Sequence, residues 1–220
     1  MKDWIDITVV LDKSGSMNVV RAETISGYNK FVKEQVKAGK NASLTLVTFD
    51  SNSIDKPEQA TRIDKVKQLS KHTYIPGALT PLYDALGVAM TDAGNRLSAI
   101  PEAERPDKVL FVIITDGLEN ASTEYTREKI NQMISHQTNV YNWQFMYLRA
   151  NADEWTAEAE AQGLGIPLSN TSNYTNSSTL SMYSTVSAKS AAYRVSGSGQ
   201  SLGITAEERE ELNNEPEPQQ

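Results

Sequence analysis

Val109-Leu110-Phe111-Val112-Ile113-Ile114-Thr115-Asp116-Gly117 (VLFVIITDG) runs almost wholly apolar for six residues before three that end it. A strand with one wet face alternates apolar and polar residues, and this one does not. An unbroken apolar run of this length reads as a central parallel strand covered on both faces. It stops abruptly at Thr115-Asp116-Gly117, residue types that leave a sheet through a turn.

Near the N-terminus, Ile5 to Leu11 is a second β-rich run, broken by Asp12-Lys13-Ser14-Gly15-Ser16-Met17. Ser43 to Phe49 (SLTLVTF) reads as a strand ending at Asp50, and Trp143 to Leu148 as another. An edge strand is expected around Gln59 to Ile63, and Ile166 to Leu168 is a candidate for a last short strand. Between them lie segments with helical periodicity: about Val19 to Lys37, Leu82 to Leu97, Glu124 to His136, Asp153 to Gln162 and Leu180 to Val195, with a short piece at Ile63, Val66 and Leu69. Pro81 stands near the first turn of the second, where its missing N–H costs nothing. Alternating strands and helices around apolar strands predict an α/β fold: a Rossmann-like, doubly wound, mostly parallel sheet with helices on both faces. The expected division is a domain over residues 1–195, then a tail over 196–220 made of a Gly/Ser linker and a Glu-rich end, with the alternative of a short helix over Thr205 to Leu212 that has Glu208 in the capping-box position and packs through Ile204 and Leu212.

The 220 residues suit one such domain, with 39% hydrophobic and 22% charged residues. A formal net charge of -7 disfavours nucleic acid and anionic lipid as partners. The absence of cysteine removes disulfides, thiolate zinc sites and thiol catalysis together. The first residues, Met1-Lys2-Asp3-Trp4-Ile5-Asp6, lack the pattern of a signal peptide, and the expected location is cytoplasmic.

In an open α/β sheet, ligands sit at the carboxyl ends of the strands. Three segments converge there: Asp12, Ser14 and Ser16 after the first strand, Asp116 after the apolar strand, and Thr80 on a loop bounded by Gly77 and Pro81. All five offer hard oxygens, which suit Mg²⁺, with Mn²⁺ or Ca²⁺ as alternatives. Only two of the five are charged and three are neutral hydroxyls, so a divalent ion held mainly by neutral oxygens is not over-neutralised and accepts one more anionic ligand. Singly, each element is an ordinary turn or helix cap; together and in this order they make a site. Asp84, one helical turn after Thr80, and Glu119 and Asn120, beside Asp116, are candidates for its surroundings.

Asp12-Lys13-Ser14-Gly15-Ser16, Thr80 and Thr115-Asp116-Gly117 resemble the metal-ion-dependent adhesion site of von Willebrand factor A domains. The words around them, LTLVTFD, GALTPLYDALG and VIITDGLENAS, are similar to cytoplasmic bacterial and phage members. The resemblance implies that Asp12, Ser14, Ser16, Thr80 and Asp116 bind a metal ion, directly or through water. It also implies that the ion takes a Glu or Asp from a protein partner, without catalysis. The expected partners are a second copy of the chain through its acidic tail, an AAA+ ATPase or a host protein. The alternatives are a Mg²⁺-dependent phosphohydrolase and a nucleic-acid-binding A domain of the Ro type. No Gly-rich phosphate loop or Gly-x-Ser-x-Gly elbow supports the first, and the acidic balance disfavours the second.

Overall fold

A computed structural model describes residues 3–214. Six strands, β1 (Ile5–Asp12), β2 (Ala42–Asp50), β3 (Ser53–Arg62), β4 (Lys108–Thr115), β5 (Gln144–Ala150) and β6 (Thr171–Tyr174), form one sheet in the order β3-β2-β1-β4-β5-β6. All neighbours are parallel except β2 and β3. The helices are α1 (Arg21–Ala38), α2 (Leu82–Ser98), α3 (Arg127–Tyr141), α4 (Glu154–Leu164), α5 (Thr179–Ser196) and α6 (Ala206–Asn213). This is the expected doubly wound α/β sheet.

Two-sided burial accounts for the unbroken apolar runs. In β4, Leu110, Val112 and Ile114 meet one core with Tyr28 and Phe31 of α1 and Tyr183 and Val186 of α5. Phe111 and Ile113 point the other way, into a second core with Leu82, Leu86 and Met90 of α2 and Ile130 and Ile134 of α3. The charged exception inside β1 is Asp6, fully buried, which the Ser43 hydroxyl and the Arg96 guanidinium satisfy at 2.6 and 2.5 Å; Thr8 is also buried there. A buried charge is tolerable only with partners of this kind.

The chain winds from β1 toward β3 on one side and from β4 toward β6 on the other. The crevice between the carboxyl ends of β1 and β4 is therefore the switch point of the sheet. Parallel register sets Leu11 beside Ile114, so Asp12 and Thr115 leave the sheet at one level.

Three expectations are corrected. The last strand is Thr171–Tyr174, not Ile166 to Leu168: Ile166 is buried in the second core, and the edge ladder is made by a polar run. The edge strand β3 begins at Ser53, well before Gln59, and holds Pro57, which an edge tolerates because one side of its backbone needs no ladder bond. The short helix expected near Ile63 is one 3-10 turn, Ile63–Lys65.

Over its described part, the segment after residue 195 takes the helical alternative and not the form of a Gly/Ser linker with a free acidic end. Gly199–Leu202 forms a 3-10 turn, and Thr205 caps α6 in a capping box with Glu208. Leu202, Ile204 and Leu212 are buried in the first core. The Arg209 guanidinium donates to the carbonyls of Leu168 (2.7 Å), Ser169 (3.3 Å) and Thr171, and Lys189 pairs with Glu208 at 2.7 Å. The apolar residues are few, yet they are spaced to reach the edge that β6 leaves open. Glu215 and Glu217 of the acidic run lie outside the described residues.

Candidate functional site

The loop after β1 is fixed before any ligand arrives. The Lys13 N–H continues the ladder to the Phe49 carbonyl (2.9 Å). The Gly15 N–H donates to the Ala78 carbonyl (3.0 Å) and the Gly77 N–H to the Lys13 carbonyl (2.8 Å). These bonds lay the 74–80 loop along the Asp12–Ser16 loop, and the Tyr74 hydroxyl locks both by donating to the Asp12 carbonyl at 2.5 Å. Ala78 holds a left-handed backbone (φ 58°), a strained conformation for a residue with a Cβ.

The side chains then converge. Asp12, with no exposed surface, accepts from the Ser14 N–H at 2.6 Å and from the Thr115 hydroxyl at 2.7 Å. The Ser16 hydroxyl donates to Asp116 Oδ1 at 2.7 Å, and the Ser14 hydroxyl lies 3.2 Å from that of Ser16 and 3.5 Å from Asp116 Oδ1. Thr80 is buried against Gly117: a Cβ on that glycine would come 2.9 Å from the Thr80 Oγ1. Asp12, Ser14, Ser16, Thr80 and Asp116 are thus brought to one place from three loops.

Electrostatically the site is short of positive charge. Burial pushes the Asp12 carboxyl up to about 6, against the hydrogen bonds from Thr115 and Ser14, with the Asp116 charge acting in the same direction as burial. Burial raises Asp116 as well, while its bonds from Ser16 and Ser14 and the charge of Arg149 oppose the shift. Lys13, the base in the loop, gives no relief. Its ammonium is turned to Asp50 (3.2 Å), Asp55 (3.3 Å) and the Ser53 hydroxyl (2.9 Å) of the β2–β3 hairpin.

The outer candidates divide. Asn120 accepts from the Thr80 N–H at 2.9 Å, and its own N–H donates to the Thr80 carbonyl at 3.1 Å, so it holds the Thr80 peptide from both sides. Glu119 accepts from the Tyr83 N–H at the start of α2 and from the Ala121 and Ser122 N–H groups. Asp84 is aimed away from the five: its carboxylate takes the N–H groups of Thr123, Glu124 and Tyr125 at 2.8–3.0 Å. These three amides lie where α3 was expected to begin, and their capture by Asp84 delays the helix to Arg127. Tyr74, the Thr115 hydroxyl and the turned-away Lys13 were not singled out from sequence. Their roles depend on which loop lies beside which, and no local pattern carries that.

Among the described residues no group of three or more His, Cys, Asp or Glu side chains gathers as a metal site. The five convergent residues contain two carboxylates and three hydroxyls. This donor set fits a hard divalent ion held largely by neutral oxygen. His72 lies exposed in a turn, and His136 stacks edge-on with Tyr141 at 5.6 Å on α3, both away from the five.

A six-stranded, mostly parallel sheet flanked by helices, with its switch-point loops gathered around Asp12, defines the chain as an α/β domain with a von Willebrand factor A-like fold. It is similar to proximal thread matrix protein 1 from the mussel byssus, with a TM-score of 0.59 and 14% identity, over 84% of this chain and 47% of that one. It is also similar to a von Willebrand factor type A structure from Catenulispora acidiphila, with a TM-score of 0.51 and 13% identity, over 86% of this chain and 43% of that one. The chain spans less than half the length of either. No family model and no curated protein matches it.

Proposed function

We propose that this chain is a divalent-metal-dependent protein-binding module rather than an enzyme, working in the cytoplasm. Asp12, Ser14, Ser16, Thr80 and Asp116 would hold Mg²⁺, with Mn²⁺ or Ca²⁺ as substitutes. When bound, the ion supplies a positive centre with a position open to a partner's Glu or Asp carboxylate. The observation that carries this reading is the convergence of two desolvated carboxylates with three hydroxyls at the switch point, while Lys13 is engaged elsewhere.

The surroundings support a protein as the ligand. Val19, Ile75, Leu79 and Leu118 are exposed large apolar side chains on the very loops that form the site. Apolar side chains around a polar centre suit a protein interface. The partner classes are an AAA+ ATPase, a host protein or a second copy. For a second copy, Glu207, Glu210 and Glu211 stand exposed on α6, whereas Glu208 is committed to Thr205 and Lys189. No helix among the described residues is long and apolar enough to cross a membrane.

The test uses two peptides, acetyl-Leu-Glu-Leu-amide and its Gln counterpart, titrated into the labelled protein with Mg²⁺ and with EDTA. The Glu peptide should bind in Mg²⁺ alone and shift resonances of Val19, Leu79 and Leu118. Equal binding of both peptides, or binding unchanged in EDTA, sinks the proposal. Gly117→Ala provides a finer check, because its methyl must displace the Thr80 hydroxyl. We expect Mn²⁺ affinity to fall about 10- to 100-fold with the fold retained, as for other changes that misplace a metal ligand.

A further inference from the structure

The residue between two of the five convergent side chains faces the other way. Asp12 and Ser14 turn toward the loop after β4, where they meet Thr115 and Asp116, while Lys13 points at the β2–β3 hairpin. Alternation along an extended chain produces this split. Lys13 is buried, and its ammonium meets Asp50 at 3.2 Å, Asp55 at 3.3 Å and the Ser53 hydroxyl at 2.9 Å. Its backbone is held as well: the N–H donates to the Phe49 carbonyl, and the carbonyl accepts from the Gly77 N–H.

Asp50 is itself fixed by the turn it begins. Its Oδ1 accepts from the Asn52 and Ser53 N–H groups, both at 2.9 Å, and its Oδ2 faces the ammonium. The same turn grips a second loop of the site. The Ser51 N–H donates to the Leu79 carbonyl at 3.0 Å, and the Leu79 N–H donates to the Ser51 hydroxyl at 3.1 Å. Thr80 is the next residue. The hairpin turn supplies none of the five side chains, yet it holds two of the three loops that carry them. By charge alone, Lys13 is out of place: a cation between two residues that would bind a divalent ion repels that ion, and burying an ammonium costs free energy besides. A role in geometry accounts for both.

We infer that Lys13 is a positioning residue for the metal site, tied to the Asp50–Ser53 turn as its frame. The tether draws residue 13 outward and so fixes the faces that Asp12 and Ser14 present to β4. Its effect on metal affinity rests on the metal-binding reading above; its effect on the loop does not.

Lys13→Met and the double variant Lys13→Met/Asp50→Asn separate this role from a charge effect. If Lys13 acts by charge alone, removing it should tighten Mn²⁺ binding. Loss of the tether should instead weaken binding about tenfold, as for other residues that orient a metal ligand. Lys13→Met strands a buried carboxylate and endangers the fold, so the double variant is the firmer test. It keeps the wild-type net charge, and the amide oxygen in place of Asp50 Oδ1 still accepts from Asn52 and Ser53. Calorimetry below the melting range should show it binding Mn²⁺ about tenfold more weakly than wild type. In EDTA, hydrogen exchange at the Lys13 and Gly77 amides should quicken about tenfold, while Val112 in the middle of β4 keeps its wild-type rate. Mn²⁺ affinity at or above wild type in either variant overturns the inference, and so does unchanged exchange at Lys13 and Gly77. A wild type that binds no Mn²⁺ sinks the metal-binding reading instead, and the exchange rates then decide the tether alone.

Discussion

Replacing Asp12 by Asn should abolish divalent-ion binding and at the same time raise the melting temperature of the metal-free protein. These opposite effects follow from the same burial. The carboxylate has no exposed surface, and its pKa is pushed from 3.8 to about 6, so the folded chain holds the ionised form at a cost. A shift of that size corresponds to at most about 3 kcal/mol at neutral pH. Part of this is offset when the charged hydrogen bonds are replaced by neutral ones, leaving an expected gain of about 1–2 kcal/mol. Asn fits the same contacts: its oxygen accepts from the Ser14 N–H, its amide donates to the Thr115 hydroxyl, and that hydroxyl turns to the Gly117 carbonyl, 3.2 Å away.

The sign with pH follows. The folded chain binds the Asp12 proton more tightly than the unfolded one, so the cost is full above about pH 6 and disappears as pH falls toward about 4. The wild type without metal should therefore gain stability over the variant's trend across that window. Calorimetry with Mn²⁺ and thermal melts in EDTA check both halves. A variant that keeps Mn²⁺ affinity removes Asp12 from the site. A variant that melts lower than wild type in EDTA shows that the carboxylate stabilises the fold.

What was legible in the sequence was whatever the physics repeats locally. The runs Ile5 to Leu11 and Val109 to Ile114 are apolar because both faces are covered, and a double cover leaves the same mark wherever it occurs. Asp12, Ser14, Ser16, Thr80 and Asp116 could be found because each sits at the end of an element that could itself be found. The edges were harder. Thr171–Tyr174 joins the sheet through one neighbour, and its side chains (Thr171, Ser172, Asn173) give no apolar signal although Thr171 and Ser172 are buried. Asp84 shows the other limit. Helical spacing put it one turn from Thr80, but its carboxylate is claimed by three backbone amides from a loop nearly forty residues on.

Deleting residues 197–220 should destabilise the domain severely, although composition alone marks the segment as a disposable tail. The reasons lie in three buried side chains and one guanidinium. Leu202, Ile204 and Leu212 complete the first core beside Tyr174 and Met182, and the Leu212 carbonyl accepts from the Thr175 N–H at 3.0 Å. The Ile204 N–H donates to the Ser169 carbonyl at 2.8 Å, so the segment also supplies a partner to the backbone leading into β6. Arg209 covers three more carbonyls there. Leu212→Ala alone should cost about 2–4 kcal/mol, the usual range for a buried leucine. Glu210→Ala and Glu211→Ala, both exposed, should stay within about 0.5 kcal/mol of wild type. Urea unfolding of the four proteins separates the possibilities. If the deletion and Leu212→Ala unfold at the wild-type midpoint, α6 adds nothing to the fold. The expected result is a deletion that melts far lower or without a cooperative transition, because its loss uncovers Tyr174 at the edge of the sheet and takes the Ile204 and Arg209 donors away from the carbonyls of Leu168, Ser169 and Thr171.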